Sequence, residues 1–121
     1  MEQLYKEAIM DHYKHPHNYG LTKEPDFSAK EDNIFCGDSI VITLKTKNNK
    51  IKEVGFQGEG CVISQATASM LTDHIKGKTL KSICLLTVKD ATRLLGVSLS
   101  PSRMKCAELP LIAIKKALKL S

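Results

Sequence analysis

The sequence has no tryptophan, and aromatic residues make up only 5% of it, so its core must be packed mainly by Leu, Ile, Val, Ala and Met. Nowhere does it run to eighteen consecutive apolar residues, which argues against a membrane-spanning helix. Its first residues, Met-Glu-Gln-Leu-Tyr-Lys-Glu, lack the basic leader and apolar stretch of an export signal, so a cytoplasmic protein is expected. Clustered cysteines are missing too. Cys36, Cys61, Cys84 and Cys106 lie far apart with no C-x-x-C pair, a pattern that fits neither a secreted disulfide framework nor a paired zinc knuckle. The net charge is +5, yet no aromatics alternate with the basic residues as a base-stacking platform, so a nucleic-acid partner is not expected. A solvated basic surface that steers an acidic protein partner accounts for the charge.

What is present fits a single domain over residues 1–121, long enough to bury a core without disulfide staples. Leu4, Tyr5, Ala8, Ile9 and His12 fall on one face of a helix over 2–14. Pro16 and Gly20 end it. His12, His15 and His17 are read as packed or solvated side chains rather than ligands, because two of them flank a proline and nothing nearby completes a set. Residues 21–34 are polar and irregular, with room for a short edge strand within 26–32.

Residues 40–46 are β-branched and roughly alternating, Lys47-Asn-Asn-Lys50 reads as a hairpin turn, and 51–57 supply the returning strand. Just before the first strand, Cys36 and Asp38 are separated by Gly37; in extended backbone they point to the same side. Just after the second strand comes Gly58-Glu-Gly-Cys61. Glycines 58 and 60 permit positive φ and leave the local N–H groups uncrowded, and Cys61 precedes a helix over 64–76 whose positive end favours a thiolate. Antiparallel pairing sets the two strand ends side by side, so Cys36 and Asp38 reach Cys61 although 25 positions separate the cysteines. His74 lies more than three turns farther along and cannot share that site.

One or two short helices are expected over 79–95, ending at Gly96, with Cys84 as a core thiol in an apolar run. Pro110 argues for a last helix that starts near residues 107–109, which leaves Cys106 on its N-terminal approach. Cys36, Asp38, Cys61 and Cys106 then make a set of three thiolates and one carboxylate, suited to Zn²⁺ or an iron–sulfur cluster. Spacing alone leaves independent buried cysteines as the alternative.

The segments Asp11-His-Tyr-Lys-His-Pro-His-Asn-Tyr-Gly20, Cys36-Gly-Asp38, Gly58-Glu-Gly-Cys61-Val-Ile-Ser64 and Lys105-Cys106-Ala-Glu-Leu, in this order, resemble the U-type iron–sulfur assembly proteins, the family of IscU, SufU and the NifU N-terminal domain. The resemblance covers nearly the whole chain. It implies an α+β fold, a three-stranded antiparallel sheet packed by about five helices, with the family's site falling on Cys36, Asp38, Cys61 and Cys106. It further implies sulfur acceptance from a pyridoxal-phosphate cysteine desulfurase, assembly of a [2Fe–2S] cluster in scaffold members, delivery to apo iron–sulfur proteins, and zinc held by the same ligands in many members.

Several positions depart from the scaffold pattern. Lys105 stands where a histidine is usual before the third cysteine, Leu99-Ser-Pro-Ser-Arg103 is a poor version of the chaperone-recognition peptide, and Ile34 replaces a proline. The first two, with Gly58-Glu-Gly-Cys61, lean toward SufU, but the 44 residues between Cys61 and Cys106 lack the insertion typical of that branch. Cys106 is the expected nucleophile, because cationic Arg103 and Lys105 and a helix approach would lower its pKa. A cluster scaffold, a zinc-dependent sulfur relay without a cluster, and a metal-binding module without sulfur traffic all remain as readings.

Overall fold

A computed structural model describes residues 2–34 and 36–119. Helix α1 spans Glu2–Lys14; strands β1, β2 and β3 span Phe27–Asn33, Asp38–Lys47 and Lys50–Glu59; helices α2 to α5 span Val62–Ile75, Leu80–Cys84, Val88–Leu95 and Pro101–Ala117. The strands form one antiparallel sheet in the order β1-β2-β3. Among the described residues no helix is long and apolar enough to cross a membrane.

Alternation makes the sheet. Ile40, Ile42 and Leu44 of β2 project to one face and are fully buried, joined there by Ile51, Val54 and Phe56 of β3. Helices α2 and α5 cover that face, and Leu109, Ala113 and Ile114 of α5 lie in the same core. The β2–β3 turn closes on Asn48 and Asn49, both with positive φ (55° and 62°), the paired left-handed geometry of a two-residue hairpin loop. Registry Ser39↔Glu59 fixes Asp38 opposite the Gly60-Cys61 turn.

Helix α2 runs through the centre. Residues Ser64 to Ser69 are all buried, which is possible because four of the six are Ser or Ala and let neighbours approach on every side. This helix is therefore enclosed on several sides rather than along one stripe. Helix α1 differs from expectation: of its proposed apolar face only Ile9 is buried and His12 half-buried, while Leu4 is 68% exposed.

Polar bonds rather than an apolar stripe tie the end of α1 to α2. His12 Nδ1 lies 2.6 Å from Ser69 Oγ, the His17 N–H donates to that same oxygen at 2.8 Å, and the His17 ring is hydrogen-bonded to the Asp73 carboxylate. Asn18 Nδ2 donates to Thr72 and Asp73, each at 2.9 Å. The His12 and His17 rings stand 4.5 Å apart.

Burial first, then the charge of His17, holds the His12 pKa below its ordinary 6.5, against the opposing pull of Asp73 and Asp11. For Asp73, burial pushes upward, but hydrogen bonds from His17 and Asn18 win and leave its pKa below 3.8. A lowered histidine pKa means that the unfolded chain takes up its proton first. Stability is thus complete above about pH 6.5 and falls as pH drops from there toward the folded value; Asp73 adds a second loss below 3.8. Denaturant melts at pH 7.5 and 5.0 should show the first loss, and His12→Gln should flatten it. An unchanged slope in that variant would remove His12 as the cause.

Candidate metal centre

Asp38 opens β2 and is 1% exposed. Its Oδ1 accepts the Cys61 N–H at 2.7 Å, while its Oδ2 accepts the Cys61 thiol at 3.6 Å. One carboxylate oxygen is thereby anchored to backbone, and the other is turned toward the sulfur atoms. Cys61 is the N-cap of α2, and its Sγ accepts the Ser64 N–H at 3.4 Å. The sequence expectation of a thiol at a helix N-terminus holds here.

The glycines before it have different jobs. Gly60 has φ +135°, a conformation disfavoured for side-chain-bearing residues, and a Cβ there would collide with Asp38 Oδ1 and stand 2.7 Å from the Asp38 Cα. Gly58 does not take positive φ. It is required instead because a Cβ would meet the Ser39 carbonyl across the sheet.

Cys36 is exposed and lies not at the start of an extended strand but in the turn between β1 and β2, with its N–H bonded to the Asn33 carbonyl at 3.2 Å and Gly37 at φ +70°. The expectation that residues 36 and 38 share a strand face is therefore corrected. The turn nevertheless brings them together: Cys36, Asp38 and Cys106 each present a donor atom within 4.8 Å of the others.

Cys106 requires a larger correction. Helix α5 starts at Pro101, with Ser100 as N-cap, and carries Pro110 inside it. Proline at the first helical position costs nothing, since its missing N–H would have had no partner, and Ser100 Oγ accepts the Arg103 N–H at 3.4 Å. Cys106 thus sits in the second turn, away from the helix end, and is 1% exposed. Burial, followed by hydrogen bonding with Asp38, Cys36 and Cys61, pushes its thiol pKa far up. The expected lowering by Arg103 and Lys105 does not prevail. Cys84 stands apart in α3, half-buried.

The four expected residues thus gather from the β1–β2 turn, the start of β2, the N-cap of α2 and the second turn of α5. A tetrahedral zinc with Zn–S bonds of about 2.3 Å requires donors roughly 3.8 Å apart. Cys36, Asp38 and Cys106 present donors within 4.8 Å of one another, and the Cys61 sulfur lies 3.6 Å from Asp38 Oδ2, which is the scale of that spacing. Three soft thiols and one carboxylate also suit zinc or iron chemically, so the donor set fits the metal that the resemblance implies.

Residues 4–120 match the family model described as the NifU-like N-terminal domain. The chain is 35% identical to the zinc-dependent sulfurtransferase SufU of Bacillus subtilis (strain 168), over 96% of this chain and 90% of that one. It is 33% identical to the iron–sulfur cluster assembly scaffold protein IscU of Streptococcus pyogenes serotype M1, over 100% of this chain and 86% of that protein. Both alignments, of 133 and 138 positions, are longer than the chain's 121 residues, so these relatives carry residues that this chain lacks. Among solved structures, a putative iron–sulfur cluster assembly scaffold protein for the SUF system from Fervidobacterium islandicum AW-1 superposes with a TM-score of 0.79 at 27% identity, covering 97% of this chain and 98% of that one.

Proposed function

The chain belongs to the NifU-like N-terminal domain family, and on that premise we propose that it accepts persulfide sulfur from a cysteine desulfurase and commits it to iron–sulfur cluster assembly. The observation that carries this reading is a graded donor set: exposed Cys36, half-buried Cys61 and buried Cys106 around the buried Asp38 carboxylate. A bulky protein donor can reach the first of these, and a metal or cluster can be held by all four.

Exposure moves the acceptor role from Cys106 to Cys36. The Cys36 thiolate attacks the outer sulfur of the donor's persulfide; a new S–S bond forms at Cys36 Sγ, the donor's S–S bond breaks, and the donor leaves as a thiolate. No net oxidant is consumed. Gly37, at φ +70°, lets the turn present Cys36 without a side chain beside it. Asp38, tied by Oδ1 to the Cys61 N–H, can offer only its other oxygen. Cys36, Asp38, Cys61 and Cys106 would hold zinc, which when bound supplies positive charge that keeps thiols as thiolates.

A [2Fe–2S] cluster is the cargo in the scaffold reading. The likeness to SufU, together with Lys105 in place of a histidine, favours a second reading in which the protein relays sulfur with zinc in place and holds no cluster. Anaerobic reconstitution with iron, cysteine and a desulfurase separates them. Cluster absorbance supports the scaffold, desulfurase stimulation with zinc retained supports the relay, and neither outcome would sink both.

Asp38 is the hard ligand among soft ones, so its bond to a soft-site metal exchanges most readily. Asp38→Ala, by removing the exchange-labile ligand, should slow release of cluster or metal to an apo-acceptor or chelator. Transfer kinetics equal to those of the wild type would count against the carboxylate as the labile ligand.

A further inference from the structure

The sheet has two edges, and only one is covered. On the β3 side, the Phe56 N–H donates to the Asn18 carbonyl at 3.0 Å and the Gly20 N–H to the Phe56 carbonyl at 2.7 Å. Farther along that edge, the Ile51 N–H donates to Lys78 at 3.0 Å and the Gly77 N–H to Ile51 at 2.9 Å. On the β1 side, no described segment pairs with the outer edge of the strand.

Alternation tells which groups point outward from β1. Phe56 turns its N–H and carbonyl away from β2, so its partner Ile42 turns its own toward β1. Ile40, Ile42 and Leu44 therefore bond Glu31, Ala29 and Phe27. Ser28, Lys30 and Asp32 direct their backbone groups outward, and their side chains lie on the exposed face of the sheet. The Lys30 carbonyl accordingly accepts from outside the sheet, from the Lys116 ammonium at 3.3 Å.

Such an edge is a template for another strand, and charged side chains along it are the usual deterrent. Here the deterrent is selective. Antiparallel pairing with β1 of a second copy, centred on Glu31, sets Lys30 opposite Asp32 of the second copy and Asp32 opposite its Lys30, two opposite-charge pairs on the exposed face. Sliding by two residues sets Lys30 against Lys30 or Asp32 against Asp32. Sliding by one sets outward backbone groups against inward ones, and the ladder fails.

Two apolar side chains also lie beside this edge. Ile34 is 83% and Ile112 42% exposed, and both border a cavity of about 320 Å³ between β1 and α5. Helix α5 packs on β1 and β2. A second copy one strand spacing away, about 4.8 Å, places the two α5 axes about 10 Å apart, an ordinary helix-packing distance.

We propose that β1 is the contact of a twofold homodimer, in which two copies join antiparallel about Glu31 into one six-stranded sheet. Four backbone hydrogen bonds form, two between Lys30 and Asp32 of the second copy and two in the symmetric pair. Lys116 gives up the Lys30 carbonyl and keeps Glu31, 3.4 Å away, so the two Glu31 carboxylates that meet at the axis are each neutralised. Ile34 comes opposite Ser28 of the second copy, and Ile112 is covered between the two α5 helices. The contact does not depend on the sulfur chemistry proposed above.

The test is sedimentation equilibrium of the full chain between roughly 10 μM and 1 mM, where reversible dimerisation is expected. Lys30→Glu and Asp32→Lys should each weaken the dimer about tenfold, because both attractive pairs become repulsive. Both positions are exposed, so these variants should melt like the parent. The double variant Lys30→Glu/Asp32→Lys should dimerise as the wild type does, and so should an equimolar mixture of the two single variants, since each new charge then faces its opposite. A chain that stays monomeric throughout, a dimer indifferent to the single reversals, or a double variant no tighter than the single ones would overturn the proposal.

Discussion

Cys36→Ser should abolish persulfide acceptance, lowering the sulfane sulfur recovered on the protein after incubation with desulfurase and cysteine at least a hundredfold. The expectation follows from reach. Serine is close in size but its hydroxyl is not appreciably ionised at neutral pH and does not form a stable persulfide, so the loss is chemical rather than structural. Cys36 sits in an exposed turn, where substitution disturbs no core packing, so the variant should fold and melt like the parent. Cys106→Ser should behave differently. That thiol is 1% exposed and contacts the other three donors, so its loss should empty the site of metal while leaving Cys36 able to take up sulfur. Mass spectrometry of the two variants decides: full labelling of Cys36→Ser with none on Cys106→Ser would return the nucleophile to Cys106.

Gly60→Ala should damage both the stability of the protein and the donor site. The φ of +135° would be strained for any side chain, at about 1–3 kcal/mol, and the new Cβ would press on Asp38 Oδ1, Cγ and Cα together. Asp38 cannot yield easily, being buried and bonded to the Cys61 N–H. The expected result is a loss of about 2–4 kcal/mol in stability and a fall of more than tenfold in zinc affinity, read by denaturant melts and by competition with a chromophoric chelator. Gly20→Ala is the control for backbone strain alone, because φ is +111° there but nothing lies within 4 Å of the added atom. If both variants lose the same stability and Gly60→Ala keeps its zinc, the carboxylate contact has no part in the site.

Much of this architecture could be read from residues, and the exceptions share a cause. The β2–β3 hairpin was legible because two local signals, alternation from Ile40 and the Asn48-Asn49 turn, agree with each other and with the tertiary result. The stop at Gly96, φ +72°, was legible for a similar reason, whereas the polar stretch that forms the edge strand β1 offered only room for one. Where local and tertiary forces oppose one another, sequence reasoning followed the local one. Pro110 opposes a helix by about 3 kcal/mol, yet buried Leu109, Leu111, Ala113 and Ile114 hold α5 together on both sides of it. The Ser100-Pro101 start was the countervailing signal, a cap followed by proline at the first helical position. Helix α2 shows the limit of pattern reading: small residues all round look featureless in sequence and become central only when α1, α4, α5 and β3 close on them. The site followed the same logic. Cys36, Asp38 and Cys61 were joined by strand pairing, which is visible in sequence, whereas Cys106 arrives on a separate helix and was joined to them by family resemblance. The pressure of Gly60 on Asp38 left only one trace, the glycine itself.

Exposure across the donor set is graded, from Cys36 in the open turn through half-buried Cys61 to Asp38 and Cys106 at 1%. If Cys36 is the acceptor, as proposed, a partner seated on the β1–β2 turn to deliver sulfur covers the most open donor. A recipient that docks on the same turn must then wait its turn, and the slower of the two to dissociate sets the tempo for both.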